Sequence, residues 1–122
     1  MRINFEKLKK IAETSKDGEA YITIEKVEGC RIGVGVRARA EQQNLCFVEL
    51  VLSLCPKSEE VNTQLIEDRL LLLRELEKRG YSMNCDGDNY VSCELCITSE
   101  ELEKEVEKLR KLVSPNHQDI VV

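Results

Sequence analysis

The sequence predicts an α+β fold: a single domain of element order α-β-β-β-α-β-β-α, with an antiparallel sheet and helices packed mainly on one face. Three observations predict it. Apolar residues recur at helical spacing in three separate stretches, and they alternate with period two in five others. Two of the strand connections read as tight turns, Glu28-Gly29-Cys30 and Gly87-Asp88-Asn89, which suit antiparallel pairing. The longest helical stretch, residues 58–80, divides three strands from the two that come after it.

A chain of 122 residues is one domain's worth, long enough for a core without disulfide support. Residues 1–115 make up that domain, and 116–122 form a tail without periodicity, ending in the apolar Ile120, Val121 and Val122. Charged residues reach 34% of the chain, against a usual level of about 25%. Much of the excess is Glu, Lys and Arg on helices, which points to a heat-adapted source, while ten Asn and Gln residues point the other way. Eighteen basic against 23 acidic side chains leave a formal charge of −5, which disfavours nonspecific nucleic-acid binding. No stretch approaches the roughly 20 apolar residues of a membrane span. The opening MRINFEKLKK lacks a secretory leader's apolar block, so the expected location is cytoplasmic.

Asn4 is placed to cap a first helix from Phe5 to Glu13 or Thr14, with Ile3 and Leu8 as a hydrophobic staple. Its inward face is read as Phe5, Leu8, Ile11 and Ala12, with Lys7, Lys9 and Lys10 outward. Ser15-Lys16-Asp17-Gly18 then supplies turn chemistry.

In residues 19–27, Ala20, Ile22 and Ile24 alternate with Tyr21, Thr23 and Glu25; in 31–40, Ile32, Val34, Val36 and Ala38 alternate with glycines and arginines. A three-residue turn, Glu28-Gly29-Cys30, would pair Ile24 with Val34 and Ile22 with Val36, gathering every aliphatic on one face. The third strand, 45–55, puts Cys46, Val48, Leu50, Leu52 and Leu54 on the core side. Its other side carries Leu45, Phe47, Glu49, Val51, Ser53 and Cys55.

The second face of these strands is the most informative feature for function. Tyr21, Val27, Leu45, Phe47 and Val51 are expected to point away from the core, beside Arg31, Arg37, Arg39, Gly33 and Gly35. Such a face is either a partly solvated sheet back, its hydrocarbon covered by Arg stems, or a contact surface for a second subunit or a peptide. On the second reading Arg37, Arg39, Phe47 and Val51 bind the partner, and the glycines permit its close approach. Three arginines and two aromatics are thin support for a nucleic-acid surface on an acidic protein.

Cys55-Pro56 ends the strand block. In the long helix Ser58 caps the start, Gly80 takes the left-handed end, and Val61, Leu65, Ile66, Leu70, Leu72, Leu73 and Leu76 form the apolar face. Leu71 falls beside it, so the run 70–73 is broader than covering a small sheet requires. Residues 81–85 and 90–97 read as a hairpin pairing Cys85 with Val91 and Met83 with Cys93. Thr98-Ser99-Glu100-Glu101 reads as a capping box opening the last helix, which runs to Val113 with Leu102, Val106, Leu109 and Leu112 inward.

No motif here brings catalytic or metal chemistry together. Cys93-Glu94-Leu95-Cys96 has the spacing of a zinc or dithiol site, but on a strand an odd separation sends the two sulfurs to opposite faces. Asp86-Gly87-Asp88-Asn89 resembles the opening of a calcium loop without the later ligands. Gly33-Val34-Gly35 lies mid-strand, without the following helix that phosphate loops need. His117 is the sole histidine, and it stands in the tail. The chain therefore reads as noncatalytic and without a cofactor. The alternative is a cysteine-based metal or thiol protein using the outward Cys96 with Cys55 or Cys30, and a disulfide among these would suit a hyperthermophile.

The succession of elements resembles the class I type III secretion chaperones and the small domains that share their topology. The resemblance covers residues 4–113 and rests on element order and length. It implies an acidic homodimer that binds an extended segment of a client protein. It implies too that the long helix and later strands supply the dimer contact, which here puts Leu70 and Leu71 in the interface.

Overall fold

The computed structural model of the chain describes residues 3–27, 29–39, 45–54, 63–85 and 90–113. They form α1 (Phe5–Thr14), β1 (Glu19–Val27), β2 (Cys30–Arg37), β3 (Leu45–Ser53), α2 (Thr63–Lys78), β4 (Ser82–Cys85), β5 (Tyr90–Thr98) and α3 (Leu102–Val113). This is the expected α-β-β-β-α-β-β-α order. The strands make one antiparallel sheet, ordered β1-β2-β3-β5-β4. β3 is central, and β1 and β4 are the edges.

One sheet face and the helices share the core. Ile32, Val34 and Val36 of β2 and Cys46, Val48, Leu50 and Leu52 of β3 meet Leu8 and Ala12 of α1, Leu73 and Leu76 of α2, and Leu102, Val106 and Leu109 of α3. α1 lies over β1 and β2, and α3 over β2 and β3. The Asn4 side chain accepts the Lys7 backbone N–H at 3.0 Å, the N-cap that its residue type favours. Ile11, expected to face inward, is 47% exposed, because Leu8 and Ala12 aim at the sheet and Ile11 stands further round the helix.

The β1–β2 turn differs from expectation. Val27 pairs with Cys30, so two residues connect the strands rather than three. A two-residue turn alone would put the two aliphatic sets on opposite faces. A register shift between Thr23 and Glu25 restores the match, so that Ile22 pairs with Val34 and Ala20 with Val36. Beyond the shift, Glu25 lies opposite Ile32 and bonds Arg110 of α3 at 3.2 Å, and Cys30 enters the core rather than the turn. Gly29 takes φ +74 in this turn, and its carbonyl accepts from Arg69 of α2 at 3.2 Å.

α2 ends as its sequence dictates. Gly80 has φ +96, the Tyr81 N–H donates to the Leu76 carbonyl, and the Gly80 N–H donates to the Glu77 carbonyl. These are the two bonds of a Schellman cap. Cys85 pairs with Val91 and Met83 with Cys93, as the hairpin register requires. Thr98 remains in β5, and α3 starts at Leu102 after a turn closed by the Glu101 N–H on the Thr98 carbonyl. Ser58, Cys55, the loop 86–89 and the tail 116–122 lie outside the described residues.

Candidate interaction surfaces

Among the described residues, all the helix-borne core residues meet one sheet face, and the other carries its own chemistry. Register fixes the rows on that second face. Tyr21, Gly35, Phe47 and Cys96 lie side by side across four strands, and Gly33, Glu49 and Glu94 form the neighbouring row. The next row is Lys26, Arg31, Val51 and Ser92.

The two glycines accommodate the chain's own aromatics. A side chain at Gly33 would strike the Tyr21 phenol, and one at Gly35 would strike the Phe47 ring. The rings stack with centroids 6.3 Å apart. The Arg37 guanidinium lies over Phe47 at 4.0 Å from its centroid, and that of Arg31 lies 5.8 Å from the centre of Tyr21. Acidic side chains anchor the cations. Arg37 donates to Glu94 at 2.8 Å with Glu19 at 3.6 Å, and Glu49 accepts from the Tyr21 hydroxyl at 2.9 Å with Arg31 at 3.9 Å. Burial, then the Glu49 carboxylate, push the Tyr21 hydroxyl up to about 12. The bond to Glu94 holds Arg37 firmly protonated.

Phe47 is therefore only 2% exposed, although it points away from the helices as its place in β3 requires. It forms a floor under Arg37, with no bare ring offered. Val51 is half-buried, Arg37 is exposed beside the network, and Arg39 is exposed in the turn after β2. The register joins Arg37, Phe47 and Val51 on one face, with Val51 two rows from Phe47. Val51 helps to line a cleft of about 410 Å³ with Lys26, Val27, Arg31, Tyr90 and Ser92. Nothing in the sequence singles out Tyr90, which follows the hairpin turn, where an aromatic has no periodic context.

A second surface lies on α2. Leu70 is 52% exposed and Leu71 61%. With Glu67, Leu73, Arg74, Glu77 and Met83 they line a groove of about 560 Å³. Leu70 thus does not join the packed face assigned to it, because Leu73 and Leu76 take the sheet side of the helix.

Cys93 is fully buried and Cys96 exposed, on opposite faces. Cys30, Cys46, Cys85, Cys93 and Cys96 are free thiols. Burial pushes Cys30, Cys46 and Cys93 up to about 11, a direction opposite to that of an activated thiolate. Among the described residues, no group of three or more His, Cys, Asp or Glu side chains could hold a metal ion, and no helix is long and apolar enough to cross a membrane. Compared with protein-family models, curated proteins and solved structures, the chain matches none.

Proposed function

We propose that the chain is a noncatalytic, chaperone-like protein-binding domain that works as a homodimer and holds an extended partner segment against its outer sheet face. The observation that carries this reading is the apolar stripe on α2. Two leucines at the middle of that helix stand more than half exposed, in line with Glu67 and Arg74. Neither charge makes an ion pair among the described residues. An antiparallel second copy, related by a two-fold axis between Leu70 and Leu71, would set each against the other's counterpart and Glu67 against Arg74 twice. The stripe is self-complementary in sign. The resemblance in element order to the class I type III secretion chaperones points the same way.

Partner capture belongs to the other surface. Val51, Arg37 and Arg39 offer apolar and cationic contact there, with Phe47 as the floor beneath Arg37. Light scattering coupled to size exclusion is the test. The expected result is twice the 14.0 kDa chain mass for the unaltered protein under reducing conditions, and a monomer for Leu71→Glu. A monomeric unaltered protein at high concentration would overturn the dimer.

A further inference from the structure

The outer sheet face divides into two halves of different electrostatic character. In the half built on Tyr21 and Phe47, Arg37 is matched by Glu94 and Glu19. In the other half, Lys26 and Arg31 stand directly opposite each other on paired strands. Like charges at such positions repel. Glu49 is the acidic side chain lining the cleft among its described residues, and it is shared between Arg31 at 3.9 Å and the Tyr21 hydroxyl. Lys26 is exposed and makes no ion pair among the described residues. Glu25, its neighbour in sequence, turns to the helix face and is taken by Arg110. Lys26 and Arg31 thus set positive charge into the lining of a cleft that Val51 and the half-exposed ring of Tyr90 share. On a chain of net charge −5, this is a local reversal of sign.

We propose that this cleft takes a carboxylate side chain of an extended partner segment, with Lys26 and Arg31 gripping the acid while its aliphatic neighbours lie on Val51 and Tyr90. The proposal rests on the protein-binding reading and names the partner's chemistry. Arg31 supplies two N–H donors in one plane and Lys26 a mobile point charge, so together they hold an acid from two sides. The volume of about 410 Å³ lies within the range of side-chain and ligand pockets. A nucleic acid is the poorer fit, because its phosphates would meet two cations here and the acidic charge of the whole chain around them.

The test titrates the full chain with two short capped peptides, one alternating glutamate with valine and one alternating glutamine with valine, followed by amide and side-chain NMR shifts. The glutamate peptide is expected to shift Val51 and Tyr90, to bind about tenfold more tightly than the glutamine peptide, and to weaken as salt is raised. Lys26→Glu, at an exposed position with no ion pair among the described residues, should abolish that advantage while leaving the spectrum folded. Equal binding of both peptides, or no effect of Lys26→Glu, would overturn this inference and leave the sheet-face reading standing. If neither peptide shifts Val51 or Tyr90, both readings fall. Tighter binding of a short single-stranded oligonucleotide at the same residues would also overturn it.

Discussion

Gly33 and Gly35 owe their places in β2 to side chains from the neighbouring strands. Tyr21 lies across one and Phe47 across the other, so Gly35→Ala must displace the Phe47 ring and lift it from Arg37. Overpacking of this kind costs about 1–3 kcal/mol, and urea denaturation of Gly35→Ala should read a loss in that range. A stability equal to the parent's would mean the ring is free to move aside. The alternation of glycines in residues 31–37 was visible in the sequence, and so were Tyr21 and Phe47. Their contacts were not, because that of Tyr21 depends on a register that a bulge sets and that of Phe47 on the pairing of β2 with β3. The Tyr21 hydroxyl gives a second prediction. Its pKa is raised from 10.0 to about 12, so the folded state favours the protonated phenol. That contribution is intact below pH 10 and fades as pH rises toward 12. Phenolate absorbance should show a component with a midpoint near 12 that disappears in Tyr21→Phe. A missing component centred near 10 would contradict the Glu49 contact.

Element boundaries were legible wherever a residue type has one structural use. Asn4 caps α1, and Gly80 closes α2 with the Tyr81 N–H on the Leu76 carbonyl. Because Gly80 sits at φ +96, Gly80→Ala forces a Cβ into the left-handed region and should cost about 1–2 kcal/mol. The site is open, its nearest foreign side-chain atom lying 3.9 Å from an added Cβ, so crowding adds little and thermal melting reads the backbone effect alone. A stability unchanged by the substitution would argue against the cap. The β1–β2 turn departs from the expected length for a physical reason. Gathering the aliphatics on one face can be done by a three-residue turn or by a two-residue turn with a bulge, and the pattern alone does not separate them. The start of α3 shifted similarly, since Thr98 serves the end of β5 before any cap.

At the scale of the molecule, helix and strand content followed from periodicity, whereas the strand order did not. β5 pairs with β3 across α2 and β4, and nothing local in either strand announces that partnership. The same limit applies to surfaces, since the sequence marked residues 70–73 as too broad an apolar run without separating the leucines that pack from those that do not. Leu73 and Leu76 turn to the sheet, which leaves Leu70 and Leu71 in line with Glu67 and Arg74. If a second copy covers this stripe antiparallel, charge reversal tests the register directly. Either Glu67→Arg or Arg74→Glu alone turns both symmetric ion pairs into repulsions. Exposed pairs are worth about 0.2–1 kcal/mol each, so each single reversal should weaken dimerisation about tenfold. The double variant exchanges the two charges, restores both pairs and should recover the parent affinity in sedimentation equilibrium. A parallel or offset pairing would not bring these residues together, and in that case the double variant would be no tighter than the weaker of the singles. Recovery by the double variant is therefore the outcome that identifies the antiparallel two-fold, because a mere loss of helix stability in one single variant could not be cured by adding the other.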